Sequence, residues 1–75
     1  MLFPDKLFSY KQSVIAKFPM VLELLRAEPR TILELYRMIM NDLSGVSEYM
    51  DVLDALYALG KIEFDEEEGV LVYVD

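Results

Sequence analysis

Cysteine, histidine and tryptophan are absent from this 75-residue chain. No disulfide can staple it, and the thiolate and imidazole ligands of ordinary zinc sites are missing. The same two absences remove the usual acid–base pair and the cysteine nucleophile, and the serines have no base to activate them. The three glycines are scattered and form no phosphate-cradling loop. The residues therefore read as a non-enzyme with no cofactor and no metal. Asp51 and Asp54, spaced i, i+3, read as solvated acids of a helix face and not as a catalytic pair. The run Asp65-Glu-Glu-Glu before Gly69 lacks the alternating ligands and distant bidentate Glu of a calcium loop. It reads as a charged turn that discourages edge-to-edge pairing. Long apolar runs are missing too, and none approaches the roughly twenty residues of a membrane-spanning helix. The opening Met-Leu-Phe-Pro-Asp-Lys has neither a basic n-region nor an apolar h-region. The expectation is a protein with no membrane segment and no export signal, in the cytoplasm by default.

Positive charge is scarce. Seven Lys and Arg face fourteen Asp and Glu, for a formal net charge of −7. The imbalance is uneven: residues 1–37 carry six cations against four acids, whereas residues 38–75 carry Lys61 alone against ten. One end of the sequence is mildly positive and the other strongly negative, a distribution suited to a basic protein surface.

Apolar residues are plentiful. They make up 55% of the chain, above the roughly 45–50% of ordinary globular proteins. A domain this small hides only about 60% of its unfolded surface. Part of the surplus must remain outside, and a contiguous exposed patch marks a partner.

The pattern of those residues gives the fold. Thr31-Ile-Leu-Glu34 has the form of a capping box. The helix it opens places Ile32, Leu35, Tyr36 and Ile39 on one stripe. Leu43-Ser-Gly-Val-Ser47 supplies a turn and a new N-cap, and a second helix over about 48–59 repeats the spacing with Tyr49, Val52, Leu53 and Leu56. Its outward positions are Ser47, Glu48, Met50, Asp51, Asp54 and Ala55. Gly60 stands where a helix-terminating glycine belongs. Lys61–Asp65 and Val70–Val74 then pair as a hairpin turning at Glu66–Gly69. Ile62 and Phe64 are expected to face the helices, with Leu71 and Tyr73 less firmly inward.

Upstream, Ser9-Tyr-Lys-Gln12 offers a further capping box ahead of a stripe of Val14, Phe18, Val21, Leu22 and Leu25. Pro19 interrupts that stripe. Either one helix kinks there, or a short turn precedes a helix holding Pro19 in its first turn; we take the second. Pro29 ends the helix by Glu28. Residues 1–8 either pack on the domain or extend as an apolar docking arm. The expected architecture is a single domain over residues 1–75: α+β, mostly α, a winged helix-turn-helix of three helices with a C-terminal β-hairpin wing.

That order of elements usually means DNA binding. Here the outward positions of the second helix hold no lysine or arginine, so the face would repel phosphates.

The opening Leu-Phe-Pro-Asp-Lys, the central Thr-Ile-Leu-Glu-Leu-Tyr, the run Leu-Asp-Ala-Leu-Tyr-Ala-Leu-Gly-Lys-Ile-Glu-Phe-Asp and the trailing Glu-Gly-Val-Leu together span almost the whole chain. Through them it resembles the small middle components of bacterial ABC-three-component systems. The resemblance implies a short acidic protein encoded beside a large SMC-like ATPase and a third, effector-type protein. It implies an accessory subunit of a DNA-sensing or anti-mobile-element defence complex, with any catalytic residues on the ATPase.

The leading expectation is thus a non-catalytic adaptor that binds an SMC-like ABC ATPase. Its partner face is expected on the second helix of the motif, at Met50, Asp51, Asp54 and Tyr57. The alternatives are a DNA-binding regulator and a small homodimer or other homo-oligomer. The regulator reading needs Lys6, Lys11, Lys17, Arg26 and Arg30 to cluster and meet phosphates in place of the second helix.

Overall fold

The computed structural model describes residues 4–75. Two helices open the chain, α1 (Pro4–Ala16) and α2 (Phe18–Ala27). Proline at the first position of α1 loses only an N–H that has no helical acceptor there, and Asp5 in that first turn favours the positive end of the helix dipole. Helix α1 runs straight through Ser9, so the capping box expected at Ser9–Gln12 does not form. Leu2 and Phe3 of the expected arm lie outside the described residues, and residues 4–8 begin α1.

Pro19 sets the break between the two helices. It has no N–H to offer the carbonyl four residues back, so the helix cannot continue through it. The Lys17 N–H turns back to the Val14 carbonyl at 3.1 Å, and the Lys17 carbonyl accepts from Val21 at 3.2 Å to begin the new helix. Pro19 sits in the first turn of α2, as expected, although a full helix and not a short turn precedes it.

Helix α3 (Ile32–Ile39) starts at the Thr31 capping box, with both reciprocal bonds present: Glu34 N–H to Thr31 Oγ1 at 3.0 Å and Thr31 N–H to Glu34 Oε1 at 2.9 Å. A single 3-10 turn (Met40–Asp42) leads to α4 (Val46–Ala58). This helix begins earlier than expected, capped by Gly45 with extended backbone and not by Ser47. Its C-terminus is closed by Gly60 at φ 73°. The Lys61 N–H bonds the Leu56 carbonyl and the Gly60 N–H the Tyr57 carbonyl, which is the two-bond closure of a Schellman motif.

Strands β1 (Ile62–Asp65) and β2 (Val70–Tyr73) pair antiparallel in the register Ile62–Tyr73, Glu63–Val72, Phe64–Leu71 and Asp65–Val70. The turn is held by Asp65, whose carboxylate accepts the Glu67 and Glu68 N–H groups, and by Gly69 at φ 70°. Arg30, between α2 and α3, bridges β2 on its other side through reciprocal bonds with Leu71. The fold is α+β and mostly helical; α2, α3 and α4 supply the three expected helices, and α1 is a further one.

The core gathers Val21 from α2, Leu35 and Ile39 from α3, Val52 and Leu56 from α4, and Ile62 from β1, all with almost no exposure. Three expectations fail in instructive ways. Glu48 is buried and not outward, at 2% exposure. Ile32 of the α3 stripe is exposed, because it lies in the first turn, beyond the reach of the core. Phe64 shares the inner face with Ile62 and Leu71, but it is 44% exposed. The hairpin carries it past the helical body, onto the rim.

Candidate functional site

The burial of Glu48 begins with α1. Helix α1 packs on α4, and the Ser13 hydroxyl donates to Glu48 Oε2 at 2.7 Å. Oε1 of the same carboxylate accepts the Ser44 N–H at 3.1 Å and stands 3.4 Å from Lys17 Nζ. The Lys17 ammonium also donates to the Ser13 hydroxyl and carbonyl. A buried carboxylate is costly unless its oxygens are satisfied, and here both are. The Ser13 bond, assisted by Ser44 and Lys17, outweighs burial and holds the Glu48 carboxyl below its ordinary value. One turn further on, the Tyr10 hydroxyl donates to the Asp51 carboxylate. That bond is the main reason the Tyr10 phenol is pushed up to about 12. This side of α4 is occupied by the chain itself.

The opposite side of α4 is open. Val46, Met50, Asp54 and Tyr57 recur at helical spacing on it, and all four are exposed. Ile32 and Leu33 from the first turn of α3 lie beside Met50. Phe64 from β1 lies beside Tyr57. Six large apolar side chains from three elements thus form one continuous exposed face, each between 42% and 65% exposed. Beneath it, Tyr49 fixes α3 to α4: its hydroxyl donates to the Ile32 carbonyl at 2.6 Å and its ring meets that of Tyr36 at 5.1 Å. Burial pushes the Tyr49 phenol up to about 12.

Of the four expected contact residues, Met50, Asp54 and Tyr57 share this face. Asp51 does not, being turned to α1 and engaged by Tyr10. Ile32 and Phe64 were missed as surface residues. Leu33 was legible as an apolar residue off the core stripe; Ile32 and Phe64 carried inward periodicity, and only tertiary position exposes them.

The cations give a different picture. Lys17 is spent on Glu48. Arg30 donates to the Leu24 carbonyl at 3.2 Å and pairs with Glu28 at 3.1 Å. Arg26 lies over the Tyr73 ring, 5.4 Å from its centroid. Lys11 lines an apolar groove of about 340 Å³ between α1 and α4, with Leu7, Ile15 and Phe18. Lys17, Arg26 and Arg30, which a DNA-binding reading requires, are therefore engaged within the chain. Among the described residues no cluster of His, Cys, Asp and Glu is arranged to hold a metal, and no helix is long and apolar enough to cross a membrane.

The family model described as ABC-three component (ABC-3C) system Middle Component 7 matches residues 3–71. No curated protein and no solved structure shows a match.

Proposed function

The chain belongs to the ABC-three component system Middle Component 7 family, and from that premise we propose that it is a non-catalytic accessory subunit that binds an SMC-like ABC ATPase within a bacterial defence complex. The observation that carries this reading is the exposed apolar face of α3, α4 and β1. Single exposed apolar side chains are ordinary, whereas a joined set from three elements is a binding surface. Met50, Tyr57 and Phe64 are its anchors: aromatic and methionine side chains dominate interface energetics. Asp54 on the same stripe adds the negative field that meets a basic partner.

We read the architecture as a winged helix in which α4 stands where a DNA-reading helix would. The isolated bridge between Arg30 and Leu71, on the free edge of the hairpin, supports this reading. DNA binding is disfavoured, because α1 covers the Glu48–Asp51 side of α4 and the other side is apolar and acidic. Co-expression with the ABC ATPase of the same three-component system tests the reading. Affinity capture followed by size exclusion should return a stable complex of the two; an ATPase that elutes free overturns it.

A further inference from the structure

The open face of α4 is three joined hollows. One, of about 430 Å³, lies between the start of α3 and the outer stripe of α4. The second, of about 160 Å³, runs from Met50 to Phe64. The third, of about 450 Å³, lies against the hairpin between Tyr57, Phe64 and Glu66. Ile32 and Met50 belong to the first and second, Tyr57 and Phe64 to the second and third, so the hollows make one trough alongside α4. Helix α4 has 13 residues, so at 1.5 Å per residue the trough runs for roughly 20 Å, the length of a helix of three to four turns.

Its chemistry changes from end to end. The end near Val46 is lined by apolar and aromatic side chains alone. The hairpin end carries Asp54, Glu63 and Glu66. Among the described residues, no lysine or arginine lines any of the three hollows.

We infer that this trough takes an amphipathic helix from a partner protein, apolar along one stripe and bearing lysine or arginine at the end that lies over the hairpin. The inference rests on the accessory-subunit reading and names what that face receives. Helix-in-groove recognition uses apolar anchors at i, i+3 or i+4 and i+7, and a trough of this length accommodates one such set. The acids at one end fix the direction in which the helix lies, because a cationic end is attracted there and repaired nowhere else along the trough. A second copy docking by the same face is disfavoured, since a two-fold contact sets the same patch on both sides and, among the described residues, that patch holds no lysine or arginine to meet its acids.

The test uses labelled peptides of about 20 residues tiled across the ABC ATPase and the third component of the same system. Fluorescence anisotropy measures their binding to the wild-type chain, to Tyr57→Glu and to the triple variant Asp54→Lys, Glu63→Lys, Glu66→Lys. The substituted positions are exposed, and a circular dichroism melt verifies that each variant folds. At least one amphipathic peptide with a cationic end is expected to bind and to gain helicity. Tyr57→Glu should weaken it about 30-fold, the loss of a central aromatic anchor. The triple variant should weaken it as well, and Lys-to-Glu exchange in the peptide should restore binding to that variant. The inference is overturned if no tiled peptide binds, if Tyr57→Glu leaves binding unchanged, or if the bound peptide stays extended. A dimer by light scattering that Tyr57→Glu dissociates also overturns it, assigning the trough to a second copy. If the binding peptide comes from the third component alone, the inference stands and the ATPase reading falls. Intact ATPase captured equally by wild type and Tyr57→Glu leaves the ATPase reading standing and removes the trough.

Discussion

Lys17 and Glu48 join the break between the first two helices to the first turn of the last: Nζ lies 3.4 Å from Oε1, and the Ser13 hydroxyl binds both side chains. The contact is a junction of four polar groups closed over by α1. Removing the carboxylate charge leaves the Lys17 ammonium, the Ser13 hydroxyl and the Ser44 N–H with a weaker acceptor. Loss of a hydrogen-bonded charged group costs about 1–3 kcal/mol, and in a domain of this size each kcal/mol moves Tm by roughly 4–8 °C. Glu48→Gln is therefore expected to lower Tm by about 5–20 °C in a circular dichroism melt. An unchanged Tm would show that α1 is held by apolar contact alone.

The same residue sets an acid response. Its folded carboxyl lies below the unfolded value, so its stabilisation is complete above the ordinary glutamate value of about 4.3. It is lost as pH falls through the folded value. Glu34, lowered chiefly by its bond to the Thr31 backbone, acts in the same direction. Tm should fall as pH is taken from about 5 towards 3, and Glu48→Gln should flatten that slope relative to wild type. Parallel slopes for the two proteins would remove Glu48 as a source.

At the alkaline end the tyrosines divide. Tyr10 and Tyr49 have phenols pushed up to about 12, one by its bond to Asp51 and the other by burial. For a folded value above the unfolded one, the stabilisation is whole below about 10 and fades as pH rises through the folded value. Ultraviolet titration of phenolate should show two late ionisations near 12, one of them lost in Tyr10→Phe and the other in Tyr49→Phe. A single transition of all five tyrosines near 10 would contradict both assignments.

Gly60 and Gly45 give a matched pair. A Cβ at either position meets nothing within 4 Å. Gly60 holds φ 73°, whereas Gly45 is extended, at φ 162°. Gly60→Ala is therefore expected to cost about 1–2 kcal/mol from left-handed backbone alone, while Gly45→Ala leaves Tm within error or raises it slightly. Equal effects on Tm would mean the closure of α4 does not depend on that conformation.

Phe64 separates folding from binding. Exposed on the rim, it should lose only about 1 kcal/mol on substitution by alanine. Leu56→Ala, in the core, should lose about 2–5. Urea unfolding checks the order, and a Phe64→Ala penalty matching that of Leu56→Ala would place the ring inside.

How far the sequence was readable follows from how local each rule is. The Thr31 capping box, the Gly60 closure and the hairpin register depend on residues a few positions apart, and all three stand as read. The core residues of α4 follow from helical periodicity for the same reason. Glu48 escaped because its partners Ser13 and Lys17 belong to another helix, and nothing in the spacing of α4 announces that α1 lies against it. Phe64 and Ile32 have inward periodicity but stand where their elements outrun the core. The pairing of Arg30 with Leu71 joins segments far apart in sequence, so no local pattern encodes it. For the contact face, three of the four expected residues share one surface; Leu33 already stood off the core stripe, and Ile32 and Phe64 joined the face only with the folded chain.

That Arg30–Leu71 bridge has a bearing on motion. The two residues exchange both backbone bonds, at 2.7 and 3.2 Å, so the outer edge of the hairpin is tied to the segment that leads into α3. A hairpin held on one edge only can swing as a flap. This one is moored on two sides, so its amide protons and that of Arg30 should exchange with solvent as one cooperative unit. The floor of the contact face then opens all at once or not at all.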